Sequence, residues 1–397
     1  MKALGTPVLG RVRRDAVEPH HQAPWGAIVR EVRPRAWVRT AIVLTAGWFV
    51  SGLAFAGYVF TTLSPLSGGS GAYAAAINNA GQVVGSSGFH IACSGCSYSQ
   101  PTLWTNPTTP VQLFGKNAFP VDINDNGVVV GFHYFSDGPT EFGVKWVNGA
   151  YITLPAAGRY SAAVGINNSG QIVGNSDSLP IIWNLSGNPT YLGGPAYITG
   201  INDSGQLSGT FGEEPARWTG LTPTVLGTLG GGFARTDAIN NDGQVIGYSL
   251  TSGGYHHATL WNDVEAIDLG SFGSHSYALG INSDGDVVGQ ANYAGGGSGA
   301  FLWSSDGLVD LNDLLDQETI DAGWVLYYAT DINDVGQIIG TARNSITQEV
   351  QAFLLTPMDV PEPATYWLII AALGLMLSIR RNPCSGQVVR CDRPRTL

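Results

Sequence analysis

One phrase recurs seven times along this chain, and it limits the folds available more than anything else in the sequence. Its form is Ile-Asn-x-x-Gly-x-[Val/Ile/Leu]-x-Gly, starting at Ile77, Ile123, Ile166, Ile201, Ile239, Ile281 and Ile332. Successive isoleucines lie 46, 43, 35, 38, 42 and 51 residues apart, so the phrase is constant and the extra residues fall in loops. A second landmark is the Trp at 104, 146, 183, 218, 261 and 303, replaced by Leu354-Leu355 in the last copy. A third is a run ending in Leu-Gly or similar: Leu113-Phe114-Gly115, Leu192-Gly193, Leu226-Gly227, Leu269-Gly270 and Leu311-Asn312. Repeats of this length must be read before any local element, because each is a unit that buries its apolar face only against its neighbours.

Each unit predicts four short strands. The first ends at Ile-Asn, the second starts with the Gln-Val-Val-Gly-like run, the third leads into Trp and the fourth into Leu-Gly. Asn and Gly between the first two suit a hairpin turn, since both tolerate positive φ. Alternating apolar positions give each small sheet a face to bury. The expected fold is therefore all-β, a seven-bladed β-propeller of four-stranded blades. The seventh copy lacks a fourth strand after Leu355. Tyr58–Leu63 has the matching pattern and sits 14 residues before Ile77, as Leu226 sits 13 before Ile239. The N-terminal strand is thus expected to close the ring, with no helix in the body and no open sheet edge.

The two ends read differently. Of 19 basic residues only six lie between 57 and 379, against 26 acidic ones, a balance of -20. That charge opposes nucleic acid and anionic lipid and leaves divalent cations as favoured partners. Residues 41–56 form an apolar run behind a basic stretch and close on Ala54-Phe55-Ala56, the pattern of a secretory signal with Ala54 and Ala56 at the cut. At the other end Pro361-Glu362-Pro363 precedes sixteen uncharged residues, 364–379, and then Arg380-Arg381. A helix of that length spans roughly 24 Å, marginal for a bilayer, with the arginines kept on the cytoplasmic side. Residues 1–56 are accordingly leader and signal, 57–357 the propeller, 358–381 a sorting segment with a transmembrane helix, and 382–397 a basic tail that departs from the sorting pattern.

The C-terminal arrangement resembles the PEP-CTERM sorting signal of Gram-negative bacteria. That resemblance implies processing by an exosortase, transient anchoring in the inner membrane, and delivery to the cell surface or the extracellular polysaccharide matrix. The repeats resemble HAF repeats of exported bacterial proteins. The phrases His257-Ala258-Thr259-Leu260-Trp261, Gly299-Ala300-Phe301-Leu302-Trp303 and Gln351-Ala352-Phe353-Leu354-Leu355 carry that likeness, although no copy holds His-Ala-Phe intact. It implies an extracellular location and brings no catalytic residues.

Motifs that carry chemistry are scarce in this sequence. No His pair has metalloprotease spacing, no Gly-x-Ser-x-Gly elbow lies on a strand–helix turn, and no Gly-rich loop carries the phosphate-binding Lys. His256-His257 reads as a solvated repeat loop. Cys93 and Cys96, as Cys-Ser-Gly-Cys in a long loop, leave a loop-pinning disulfide, free thiols and a metal site open. Oxygen-rich turns make Asp122, Asp125, Asp284, Asp286, Asp331 and Asp334 candidates for Ca²⁺, set against the ordinary use of Asn and Asp in turns. The expected role is an exported, non-enzymatic structural or interaction protein. The alternatives are a carbohydrate-binding propeller, with Tyr134, Tyr160, Tyr255, Tyr293 and Tyr327 stacking on sugars, and a polysaccharide hydrolase or lyase for which no acid–base pair can be named.

Overall fold

The computed structural model describes residues 57–90, 97–135 and 140–358. These form seven antiparallel sheets of four strands each, a seven-bladed β-propeller. Blade 1 runs Gly71–Ile77, Val83–His90, Ser97–Trp104 and Pro110–Gln112 from its inner to its outer strand. Blades 2 to 6 repeat this order, with inner strands Ala118–Ile123, Ser161–Ile166, Ala196–Ile201, Gly230–Ile239 and Gly273–Ile281. Blade 7 takes its first three strands from Trp324–Ile332, Ile338–Asn344 and Val350–Pro357, and its outer strand from Tyr58–Thr62. The N-terminal strand therefore closes the ring as the pattern required, pairing Tyr58 with Pro357 through Thr62 with Phe353. The Met358 amide also donates to the Gly57 carbonyl at 2.9 Å, so the two described ends of the propeller meet.

Both glycines of the repeat have a geometric cause. The first (Gly81 in blade 1, Gly170 in blade 3) sits at φ near 80° in the inner hairpin, where a side chain would be strained. The second lies in the second strand opposite a β-bulge in the inner strand, with the register slipping at Ala74/Ala76, Ala163/Gly165 and the equivalent points of the other blades. The bulge pushes a carbonyl toward the partner strand. A Cβ on Gly85, Gly131, Gly174, Gly209, Gly247, Gly289 or Gly340 would stand 1.9–2.2 Å from that oxygen, so only glycine fits.

Packing follows the blade boundaries. Ala72, Ala74, Ile77, Val83 and Trp104 of blade 1 bury against Ile339, Ala352 and Leu354 of blade 7, and similar clusters fill the other boundaries. Trp104, Trp146, Trp183 and Trp261 are buried, and each indole N–H donates at 2.7–2.9 Å to a carbonyl at the end of the preceding blade. The same side chain thus fills the core and latches the linker.

One expectation fails. The long spacing before the seventh copy holds a 3-10 turn, Leu311–Leu314, and a short α-helix, Gln317–Asp321, where no helix was expected. Leu311, expected to end the fourth strand, still fills the core, and Asp310 and Asp316 accept the first free amides of the two turns. Among the described residues no helix is long and apolar enough to cross a membrane. The expected signal with Ala54 and Ala56, the sorting segment with Pro361, Glu362, Pro363, Arg380 and Arg381, and Cys93 and Cys96 all lie outside them.

Candidate functional site

Chain direction gives the ring two unlike faces. Inner strands run toward the Ile-Asn turns, so one face carries those turns and the third-to-fourth hairpins. The opposite face carries the second-to-third hairpins and the linkers between blades.

The turn face is laced together by amides. The seven repeat asparagines, Asn78, Asn124, Asn167, Asn202, Asn240, Asn282 and Asn333, are each only 3–5% exposed. In every blade Oδ1 accepts the amide four residues on, as from Gln82 to Asn78 at 2.9 Å. In six blades, Asn333 to Asn78 included, Nδ2 donates to the next asparagine's carbonyl at 3.0–3.1 Å, and among the described bonds the series is open only between Asn282 and Asn333. Read from the sequence these were turn residues; in the fold they also tie blade to blade, which only a buried amide with both donors and acceptors can do. A second, exposed ring lies outside the first. The Asn79, Asp125, Asn168, Asp203 and Asp334 amides each donate to a side-chain oxygen of the neighbouring turn at 2.7–2.9 Å.

The Ca²⁺ candidates occupy different places in this architecture. Asp125 and Asp334 belong to the exposed ring and accept amides from Asn79 and Asn168. Asp122 and Asp331 stand at the bulges, each accepting its own isoleucine's amide and that of the next blade, Ile166 or Ile77, at 2.8–2.9 Å. Asp284 is exposed at its turn, and Asp286 takes the place that Gln holds in other repeats. Among the described residues no three His, Cys, Asp or Glu side chains converge as metal ligands.

Asp122, Asp125, Asp331 and Asp334, though not Asp284 or Asp286, line the central channel, a cavity of about 380 Å³ whose described walls carry no basic side chain. Asp237, which sequence reading missed, faces it from the blade 5 bulge. Its Oδ2 is buried without a hydrogen-bond partner, and burial, opposed in part by Arg235, pushes its carboxyl up to about 7. Asp331 is pushed up to about 7 as well, by burial first, against its two amide donors. The only sequence signal was an acid where the other blades place Ala, Val, Thr or Leu (Ala75, Val121, Val164, Thr199, Leu279 and Thr330).

The linker face is aromatic. The exposed aromatic side chains Tyr73, Phe114, Tyr134, Tyr160, Tyr197, Phe233 and Tyr255 are 42–72% accessible, and all lie in linkers, second-to-third hairpins or the strand residues next to them. Exposed apolar residues at the turn face are aliphatic: Leu185, Leu221, Val264 and Val335. Between blades 5 and 6, Phe233, Tyr248, His256, Tyr277, His275 and Tyr255 form a chain of ring contacts 5.0–6.1 Å between centroids. Burial and then the nearby His275 hold His256 below the ordinary imidazole range. Of the tyrosines expected to stack on sugars, Tyr134, Tyr160 and Tyr255 are exposed. Tyr293 instead bonds Asp310 and stacks on Phe272, and Tyr327 lines a shallow cleft with Val325 and Arg343.

His256 and His257 open the third strand of blade 5 rather than occupying a loop. His257 Nδ1 lies 2.9 Å from Asp268, and its Nε2 lies 3.4 Å from Ser271 Oγ, an order resembling a hydrolase triad. The repeat argues against that use. Gln100 and Gln112 occupy the equivalent positions of blade 1 and also bond across the strands, at 3.0 Å. The pair is a cross-strand fastening on an open surface, and the serine contact is too long to activate a nucleophile.

No family model matches the chain, and no curated protein matches it either. Solved structures do. An acylaminoacyl peptidase of Pyrococcus horikoshii matches with a TM-score of 0.50 at 10% identity, over 79% of this chain and 55% of the peptidase. A puromycin-hydrolysing peptidase of Mycobacterium tuberculosis (TM-score 0.38, 12% identity, 65% of this chain and 50% of that one) and TolB of Acinetobacter baumannii (0.34, 12%, 64% and 62%) also match. The likeness is one of fold alone. This chain spans about half the length of the peptidases it matches.

Proposed function

We propose that the chain is an exported, non-enzymatic binding propeller of the cell surface or exopolysaccharide matrix, and that it takes polysaccharide on its linker face. One observation carries this reading: among the described residues the exposed aromatics gather on that face, while the turn face presents hydrogen-bonded Asn and Asp side chains around an acidic channel. Flat rings with polar edges suit the alternating apolar and hydroxyl surfaces of sugars, and ligand sites combine such apolar walls with a few polar groups. The body's balance of -20 disfavours nucleic acid and anionic membranes as partners. Export by the N-terminal signal and exosortase processing near Pro361-Glu362-Pro363 supply the address. The peptidase likeness transfers no activity, being one of fold.

The test is a glycan panel probed with the full chain, beside Phe233→Ala and Tyr255→Ala variants. Wild-type chain should bind a subset of polysaccharides, and each variant should weaken binding on the order of tenfold, as loss of an aromatic anchor does. Absence of binding to any glycan sinks the proposal.

A further inference from the structure

A second concavity on the linker face, between blades 1 and 2, breaks the repeat. It measures about 490 Å³ and is lined by Gln100, Gln112, Phe114, Lys116, Asn117 and Tyr134, with His133 behind them. That volume is in the range of small-molecule sites. In the other linkers the position of Phe114 is Ser64, Pro155, Gly193, Gly227, Gly270 or Asn312, so a large ring projects here alone.

The pocket is built rather than incidental. The Phe114 carbonyl is fixed by the Trp146 indole at 2.7 Å, and its ring packs edge-on against Tyr151, centroids 5.8 Å apart. The linker is tied to both blades, by Asn117 N–H to Ser99 O at 3.1 Å and Tyr134 N–H to Asn117 O at 3.0 Å. Gln112 Nε2 donates to Gln100 Oε1 at 3.0 Å, which leaves the outer amide oxygen and nitrogen of the pair without a partner among the described residues. Lys116 Nζ sits 4.1 Å over the Tyr98 ring, which stacks in turn on Phe89. Among the described lining residues there is no carboxylate, in a body where acids outnumber bases 26 to six.

We infer that this pocket seats a carboxylate-bearing sugar residue, a uronate, of the polysaccharide chain. Lys116 faces the carboxylate, the Gln100–Gln112 pair meets adjacent hydroxyls as donor and acceptor, and Phe114 stacks on the ring. A neutral sugar would give no use to the cation. The inference rests on the polysaccharide reading above and names the unit read at this point.

The test titrates the full chain with an oligogalacturonate and with a neutral malto-oligosaccharide of equal length, at low and at physiological salt. Preference for the uronate should be on the order of tenfold at low salt and shrink as salt screens it. Lys116→Met should abolish that preference, Phe114→Ala should weaken uronate binding, and Phe233→Ala, at the blade 5 cluster, should keep the preference. Lys116 and Phe114 are exposed, and unchanged melting temperatures would show that both variants fold. If the wild type binds both oligomers equally, or Lys116→Met keeps the preference, the uronate pocket is overturned while the polysaccharide reading stands. If the wild type binds neither, the pocket is overturned, and a blank glycan panel removes the polysaccharide reading separately.

Discussion

At the scale of single residues, the asparagine of the repeat does the most. Asn167 Oδ1 accepts from Gln171 N–H and Ser169 Oγ, and its Nδ2 reaches both Gln171 Oε1 and the Asn202 carbonyl of the next blade. Removing it leaves buried groups unpaired, so Asn167→Ala should cost about 2–3 kcal/mol. Asn282 has a substituted partner, Asp286, with a 3.4 Å contact, and shows no cross-blade donation among the described bonds. Asn282→Ala should therefore cost about 1 kcal/mol. Urea unfolding of the two variants separates these cases, and equal losses would contradict the ring as a stabilising device. Asp237 gives a pH signature. Its folded carboxyl is raised from 3.8 to about 7, so between those values the folded state holds more protons than the unfolded one. Stability from this group is full below about pH 4, falls as pH rises to about 7, and is flat above, by up to about 4 kcal/mol. Asp237→Asn should raise the melting temperature at pH 8 and flatten the slope between pH 4 and 7; an unchanged slope would place the titration elsewhere.

At the scale of elements, the closure strand is where sequence and structure agree most fully. The missing fourth strand of the last repeat and the surplus strand at Tyr58 could be matched because both follow the same apolar pattern as the internal copies. Bulges were not legible, because the register slip that makes the second glycine obligatory depends on pairing between strands, not on composition. The linker-face pockets were hidden for a similar reason: Gln100 and Gln112 look like ordinary strand residues until the hairpin brings them together. The helical turns at 311–321 were hidden inside an apparently long loop. Within the closure strand, Phe60 packs on Trp324 and Phe353, with centroids 5.5 and 6.2 Å away. Phe60→Ala should cost about 2 kcal/mol, less than a fully buried ring because Phe60 is half-buried. Deleting residues 58–62 should do far more, lowering the melting temperature by well over 10 °C and exposing Phe353–Pro357 as an unpaired edge that promotes association. Thermal unfolding and light scattering check both, and a deletion that melts like wild type would mean the ring closes without its velcro strand.

At the scale of the whole molecule, the ends of the ring limit how it can be processed. Gly57 and Met358 are hydrogen-bonded neighbours, and the strands they flank are the outer pair of blade 7. A signal cut after Ala56 would leave Tyr58–Thr62 whole, whereas a cut six residues later would remove the strand that closes the propeller. On the other side, Pro361 follows the last residue of Val350–Pro357 by four positions, so cleavage at the Pro-Glu-Pro motif also spares the sheet. The two proposed processing points therefore bracket the folded body closely, with neither reaching a paired residue. Mass spectrometry of the protein recovered from the cell surface should find an N-terminus at or before Tyr58 and a C-terminus between Met358 and the proline motif. Recovery of a stable surface form that begins after Thr62 would break this link between export and folding. The ring would then have to be held by blade-to-blade amides and packing alone.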